Sequence, residues 1–283
     1  MSTILQLLDI GKEKLMKSGN EYAKYDRKVL LEEVLGCNYM YMLTHGEETV
    51  SIEKEQRYLE LIDRRSERYP LQYLLGYADF MDYRFYVNEN VLIPRNDTEV
   101  LVELVDEHLK KMERQETQPV RLMDLCCGSG CIGISLKLYH PEVDLTLSDV
   151  SEDALNVTKK NLEQYGIKAS THCGDLFEGI ADRYDVIVSN PPYIEKRIIS
   201  TLMPEVKEYE PMLALDGGED GLSFYRAITQ QAPSFLSEHG VLFFEIGCDQ
   251  GQEVSDMMLQ NGFCDVRIHK DYAGLDRVVY GHL

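Results

Sequence analysis

The residues best suited to chemistry stand together at Asn190-Pro191-Pro192-Tyr193. Each proline locks its own φ and pushes the residue before it out of the helical region. Asn190 and Pro191 are therefore held extended, with the Asn190 side chain and two neighbouring carbonyls in a fixed array. Neither proline carries an N–H, so this corner is rich in acceptors and poor in donors. Such an array suits a planar –NH2 group: it accepts both hydrogens and leaves the nitrogen lone pair aimed elsewhere. Taken alone, the same four residues also read as a proline-stiffened turn with a surface tyrosine. The element that must position them is Tyr184–Ser189, a short apolar, β-branched run that predicts a buried strand. Asn190 then sits where the strand's carboxyl end opens into a loop, the edge at which open α/β sheets bind ligands.

A second cluster follows an earlier strand: Asp124-Leu125-Cys126-Cys127-Gly128-Ser129-Gly130-Cys131-Ile132-Gly133. Gly128, Gly130 and Gly133 have the spacing of the dinucleotide fingerprint, which raises an NAD-dependent reading. Asp124 argues against it, because a carboxylate at the strand end opposes a pyrophosphate and suits an ammonium or sulfonium. A hydride-transfer enzyme also has no use for Asn190-Pro191-Pro192-Tyr193 at its fourth strand. Asp149 follows the next predicted strand, where a carboxylate can accept both ribose hydroxyls of an adenosine. It also reads as a helix cap, since Ser151 begins the following helix. Asp175 and Leu176 follow the third strand, at a plausible edge for an adenine ring, or as an ordinary loop acid and its neighbour.

Composition narrows the classes. The chain has 283 residues, 44% hydrophobic, with a formal charge of −20. That is enough apolar material for a full core in one large or two ordinary domains. A duplex nucleic-acid binder needs a basic footprint, and this chain repels phosphates overall. Its seven cysteines show no paired zinc spacing and predict free thiols in a reducing cytoplasm. No run of eighteen apolar residues predicts a membrane span, and the mixed charges near the N-terminus do not form a signal peptide.

In chain order, residues 1–78 predict a small helical bundle, punctuated by Gly19, Gly36 and Gly76, with Ser51 as a cap and Pro70 in a first turn. It carries no catalytic cluster and reads as either a packing domain or a substrate-docking domain; docking is the expectation. Residues 79–95 predict a β-hairpin linker: Phe80–Ile93 is rich in strand formers, with Asn88-Glu89-Asn90 as the turn. Asn96 is expected to cap the next helix with Glu99 as reciprocal partner, and that helix to run to about Arg114 before a polar connector, Gln115–Pro119. Residues 96–283 then alternate strand and helix, the pattern of a doubly wound α/β domain with a seven-stranded sheet.

These residues resemble the class I S-adenosylmethionine-dependent methyltransferases. More narrowly, the chain resembles the HemK/PrmC family, the glutamine-N5 methyltransferases of peptide chain release factors. The resemblance runs through Pro70–Gly76, Val91–Arg95, Gly128–Ile132, Gly174–Phe177, Val188–Ile194, Tyr209–Pro211, Gly217–Leu222, Glu245–Gly247 and Asp271–Arg277. The Asn-Pro-Pro-Tyr motif alone is shared with enzymes that methylate amino groups of nucleic acids, so an adenine or guanine amino-methyltransferase is the alternative. A non-catalytic nucleotide-binding module on the same fold is a third. Two positions depart from the family. Cys126-Cys127 replaces Gly-Thr, which the loop accommodates if φ stays negative at Cys126. Asn96-Asp97 replaces Pro-Glu, with the capping chemistry expected to survive.

The resemblance implies that S-adenosylmethionine is the cofactor. It is expected to be held by Asp124, Cys126, Cys127, Gly128, Ser129, Gly130, Asp149, Asp175, Leu176 and Asn190, with no metal. It further implies that Asn190 and the Pro191 carbonyl accept the two amide hydrogens of a glutamine. Pro192 completes the substrate loop, and Tyr193 packs against the substrate. The expected partners are release factors, with no direct nucleic acid, no membrane and a monomeric state.

Overall fold

Apolar residues at helical spacing, stopped by glycines, build the first part of the chain. The computed structural model describes residues 1–112 and 119–283. Helix α1 (Ile4–Lys17) starts in a capping box, with Gln6 N donating to Thr3 Oγ1 and Thr3 N to Gln6 Oε1. Helices α2 (Ala23–Leu35), α3 (Tyr39–Thr44), α4 (Ile52–Ser66) and α5 (Leu71–Leu75) follow. Ser51 caps α4, while Gly36 and Gly76 end α2 and α5 in the left-handed conformation. Leu7, Leu15, Leu30, Leu31, Met42, Tyr58 and Ile62 are buried together. Residues Met1–Gly76 form one compact unit that also takes in Met203–Tyr209. That distant segment contributes Glu205, whose carboxylate pairs with the buried Arg65 at 3.1 Å and with Arg68 at 2.8 Å. Arg65 also pairs with the buried Asp26 at 2.6 Å.

The second unit, Tyr77–Leu202 with Glu210–Leu283, opens on a hairpin of β1 (Tyr77–Phe80) and β2 (Tyr83–Tyr86). The hairpin is shorter than the residues suggest. Its turn is at Met81-Asp82, with Met81 at φ 52°, and pairing ends at Tyr77–Tyr86. The Asn161 side chain stops the ladder: its Oδ1 accepts from Tyr86 N and its Nδ2 donates to Tyr86 O. The turn signal at Asn88–Asn90 is real, with Asn90 N donating to Asn88 Oδ1 and Val91 N to Asn88 O, but it bends a loop. The capping box expected at Asn96 is absent. Asn96–Thr98 is a single 3₁₀ turn, helix α6 (Glu99–Met112) starts after it, and Glu99 Oε1 accepts from Met81 N instead. The end of the expected helix and residues 115–118 of the connector lie outside the described residues.

Strand and helix then alternate: β3 (Arg121–Leu125), α7 (Cys131–Tyr139), β4 (Asp144–Asp149), α8 (Glu152–Tyr165), β5 (Ser170–Cys173) and β6 (Tyr184–Ser189). Short helices α9 (Lys196–Ile199) and α10 (Pro204–Tyr209, counted with the first unit) precede α11 (Ser223–Gln231), β7 (Leu236–Glu245), α12 (Gly251–Gln260), β8 (Cys264–Lys270) and β9 (Asp276–His282). The sheet order is β5-β4-β3-β6-β7-β9-β8, parallel from β5 to β7, with β9 antiparallel to its neighbours. This is the doubly wound α/β domain expected from residues 96–283. From β3 the chain winds outward through β4 and β5, then returns to lay β6 on the other side of β3. The switch point is thus between β3 and β6, where a crevice opens at the strands' carboxyl ends.

Candidate active site

The glycine loop leaves β3 at that crevice. Its first turn is closed by Cys127 N donating to Ser148 O at 3.0 Å and Gly130 N to Cys127 O at 2.8 Å. Cys126 has φ 61°, not the negative φ that would let a Cβ sit without strain. Leu176, also beside the crevice, has φ 52°. Left-handed non-glycine residues cost roughly 1–3 kcal/mol each and concentrate at functional sites. Gly133 serves close packing: a Cβ there would lie 3.0 Å from the Asp124 side chain. Its N–H donates to Asp124 Oδ2 at 2.8 Å, which ties α7 to β3.

Asp124 is therefore beneath the loop and fully buried, not in the cavity wall. Its Oδ1 has no hydrogen-bond partner. Burial pushes its carboxyl up to about 7, against the Gly133 hydrogen bond that favours the ion. Asp149 is in the wall. Its Oδ2 accepts from Gly128 N and its Oδ1 from Ser151 N, each at 2.9 Å. Burial raises its pKa too, opposed by those backbone donors. The helix-cap role belongs to Ser151, whose Oγ accepts from Ala154 N. Burial also pushes the Cys126, Cys127 and Cys131 thiols well up, so they stay neutral and offer no nucleophile.

The cavity encloses about 1000 Å³ including its open mouth. Cys126, Cys127, Gly128, Ser129, Asp149, Asp175, Leu176, Asn190 and Pro192 all line it, so the two sequence clusters meet. Gly130, Pro191 and Tyr193 do not line it. Gly130 is at the start of α7 with φ 76°, and its missing Cβ lets the loop close on Thr158 and Leu147. Tyr193 turns into the fold: its O–H donates to Glu245 Oε1 at 3.3 Å. Its backbone is clasped by Gly217, where a Cβ would lie 2.7 Å from the Tyr193 Cα, and by Gln250 Nε2, which donates to its carbonyl at 3.0 Å.

Other lining residues were given no site role by sequence reasoning: Leu92, Arg95, Thr98, Leu213 and Phe224 among them. The signal was present, because Val91–Arg95 is one of the stretches that carries the family resemblance. Arg95 is held by the buried Glu210, which also accepts from Ile93 N.

Comparison with known proteins follows this geometry closely. A family model described as the PrmC N-terminal domain matches residues 6–76, and one described as the methyltransferase small domain matches residues 97–206. A release factor glutamine methyltransferase from Geobacter sulfurreducens is 38% identical over 282 residues, 99% of this chain and 97% of that one. One from Clostridium botulinum is 39% identical over 278 residues, 96% of each chain. The chain belongs to the release factor glutamine methyltransferase family. Among solved structures, the catalytic domain of hMettl16 in complex with the MAT2A 3′UTR hairpin 6 superposes with a TM-score of 0.56 at 15% identity, covering 82% of each chain. The T. thermophilus 16S rRNA N2 G1207 methyltransferase superposes at 0.53 with 17% identity, covering 73% of this chain and 49% of that one. At these identities the likeness concerns the methyltransferase fold alone. The release factor glutamine methyltransferase family thus accounts for both the helical unit and the sheet unit.

Proposed function

We propose that this chain methylates the side-chain amide nitrogen of the glutamine in the Gly-Gly-Gln motif of peptide chain release factors, with S-adenosylmethionine as methyl donor. Family membership carries the reaction and the donor. The observation that carries the assignment of roles is Asn190, which lines the cavity shared with Asp149 while its Nδ2 donates to Thr98 Oγ1 at 3.4 Å. That bond leaves Oδ1 as an acceptor for a substrate –NH2.

The residues present fit the donor. Asp149 offers a half-buried carboxylate to ribose hydroxyls, Gly128 leaves open space where a Cβ would stand, and Asp124 keeps one carboxyl oxygen, Oδ1, without a partner beneath the loop. Two wall acids, Asp149 and Asp175, face a single wall cation, Arg95, which Glu210 already holds. Such a wall disfavours a pyrophosphate and favours a cationic nucleoside. When bound, S-adenosylmethionine supplies an electrophilic methyl group on its sulfonium.

An amide nitrogen is a poor nucleophile because its lone pair is delocalised into the carbonyl. Asn190 Oδ1 and the Pro191 carbonyl compensate by orientation: they accept the two hydrogens, direct the lone pair and stabilise positive charge developing on nitrogen. No strong base is required before transfer, since the proton leaves afterwards. Fixed geometry of this kind is worth several kcal/mol, up to about 7–11 in ideal cases. Pro192 shapes the cavity side of the loop. Tyr193, its hydroxyl on Glu245 and its ring turned into the fold, braces the loop from behind instead of packing against the substrate.

The helical unit of residues 1–78 is proposed to dock the release factor, which supplies the selectivity that an amide pocket lacks. The protein is further proposed to act as a cytoplasmic monomer without direct nucleic-acid contact. Its thiols are unpaired, and among the described residues no helix is long and apolar enough to cross a membrane.

The test is mass spectrometry of a release factor incubated with the protein and S-adenosylmethionine. A gain of one methyl group on the glutamine of Gly-Gly-Gln is expected, with none in parallel reactions on ribosomal RNA or DNA. Methylation of the nucleic acid and not of the protein overturns the reading. Asn190→Ala is expected to abolish turnover while cofactor affinity changes far less; near-parent turnover removes the role assigned to Asn190.

A further inference from the structure

Three loops at the carboxyl edge of the sheet meet at one side chain. The first is the outgoing end of Asn190-Pro191-Pro192-Tyr193, the second is Gly217–Leu222, and the third is the turn that leaves β7 at Gly247. The side chain is Gln250, at the start of α12 and 8% exposed. Its Nε2 donates to Tyr193 O at 3.0 Å and to Gly221 O at 3.3 Å, while its Oε1 accepts from Gly247 N at 2.9 Å. Both amide hydrogens and the amide oxygen are thereby used. Turned end for end, the amide would set its oxygen against two carbonyls and its hydrogens against an N–H, so its polarity is fixed. Its base is fixed as well: Gln250 N donates to Gly247 O, and Gln250 O accepts from Val254 N, each at 3.0 Å.

The glycines of these loops make room for that amide. A Cβ at Gly221 would lie 2.7 Å from Gln250 Nε2, and one at Gly247 would lie 2.8 Å from Gln250 Oε1. The first two loops also pair with each other: Ile194 N donates to Leu215 O at 3.1 Å, Gly217 N to Ile194 O at 2.9 Å and Lys196 N to Gly218 O at 3.0 Å. Gln250 ties that pair to the turn between β7 and α12. At its incoming end the Asn190 loop is held by β6, where Ser189 Oγ donates to Leu125 O at 2.7 Å. Between the two ends, the rings of Pro191 and Pro192 close both of their φ angles. With the Tyr193 carbonyl pinned, few torsions are left, and the direction of the Pro191 carbonyl is set from the far end of the loop.

We propose that Gln250 is a positioning residue that aims the Pro191 carbonyl and the Asn190 side chain at the substrate amide. This rests on the reading of Asn190 and Pro191 as the acceptors for that amide. Gln250 does not line the cavity, so it acts on the substrate only through the loop.

The experiment compares Gln250→Glu, Gln250→Met and Asn190→Ala with the parent, each as the full chain. Turnover of whole release factor between pH 6 and pH 8.5 and cofactor Kd by calorimetry are measured for each. Glutamate has glutamine's shape and still accepts from Gly247 N, but when ionised it gives nothing to Tyr193 O or Gly221 O. Methionine fills the space and donates at no pH. At pH 8.5 both variants are expected to lower kcat at least tenfold, with cofactor Kd within about threefold of the parent. Burial between carbonyls raises the pKa of a glutamate carboxyl. As pH falls it takes up a proton and regains an O–H for Tyr193 O. The kcat of Gln250→Glu, divided by the parent's at the same pH, is therefore expected to rise at least threefold from pH 8.5 to pH 6, while the Gln250→Met ratio stays flat. Glu245, which holds the Tyr193 hydroxyl, is common to all variants, so the ratio cancels its titration. If Gln250→Met unfolds, the Gln250→Glu ratio carries the test alone.

A kcat within twofold of the parent in both Gln250 variants at pH 8.5, while Asn190→Ala is inactive, overturns this inference alone. So does a loss that appears equally in cofactor Kd, or a Gln250→Glu ratio that does not change with pH. An active Asn190→Ala instead removes the reading beneath it.

Discussion

At the scale of single residues, the charges under the glycine loop are held against their solvation preference. The Asp124 carboxyl is pushed up to about 7 by burial, well above its value in an unfolded chain, and Glu245 is pushed to about 7 for the same reason. A folded state that keeps a proton the unfolded state has lost becomes less stable as pH rises between the two pKa values, here from about 4 to about 7. Above that window the loss is complete, and it does not grow. Without cofactor, the protein is therefore expected to melt at a lower temperature at pH 8 than at pH 5.5. Asp124→Asn should flatten part of that slope, the rest remaining with Glu245. On the proposed reading of Asp124 as a buried countercharge to the cofactor, the same variant should show a smaller rise in melting temperature with S-adenosylmethionine. A slope unchanged by Asp124→Asn would mean that Asp124 does not carry it. Asp149→Ala removes an acceptor from the cavity wall and also frees Gly128 N and Ser151 N. It is expected to weaken cofactor binding by about 1.5–3 kcal/mol, the range for hydrogen bonds to a charged group, as read by calorimetry.

At the scale of elements, what the sequence made legible were the parts built by repetition. All seven strands of the sheet, the glycine stops of α2 and α5 and the loops after β3, β4 and β6 follow from local pattern. The misses share a cause: a distant side chain took the hydrogen bond that a local rule assigned to a neighbour. Asn161 ended the hairpin at Tyr86, and Glu99 turned to Met81 N where a capping box would have taken it to Asn96. Cys126 takes φ 61° because the closed loop demands it there, whatever residue occupies the position. The glycine-rich stretch at Gly217–Gly221 was legible only as part of a resemblance; its purpose is close approach to the Tyr193 backbone. Gly217 has no left-handed φ, so Gly217→Ala tests that approach alone. It should displace the loop at Tyr193 and reduce kcat at least tenfold while leaving the affinity for S-adenosylhomocysteine near the parent value. Equal losses in both would mean that the clasp supports the whole cavity.

At the scale of the whole molecule, the division of labour between the units is the question that chemistry alone does not answer. The cavity and every residue assigned to it belong to the sheet unit. The helical unit buries its own core, yet keeps large apolar side chains in water: Tyr22, Tyr25, Met40 and Leu43 are each more than half exposed. Lys28 Nζ stands 5.3 Å from the rings of both Tyr25 and Tyr39, which brings the start of α2 beside the start of α3. Tyr25 and Met40 thus share a neighbourhood in which aromatic and thioether groups can act as anchors for a protein partner. Neither residue belongs to the unit's buried core, so removing them should spare the fold. We expect the double variant Tyr25→Ala, Met40→Ala to keep the parent's melting temperature and cofactor affinity and to raise KM for whole release factor at least tenfold. A short Gly-Gly-Gln peptide offers nothing to a docking surface, so it should be a poor substrate for parent and variant alike, with the same kinetic constants for both. An unchanged KM for the whole factor would show that this surface is not the docking site. A change seen equally with the peptide would place the fault in the active site.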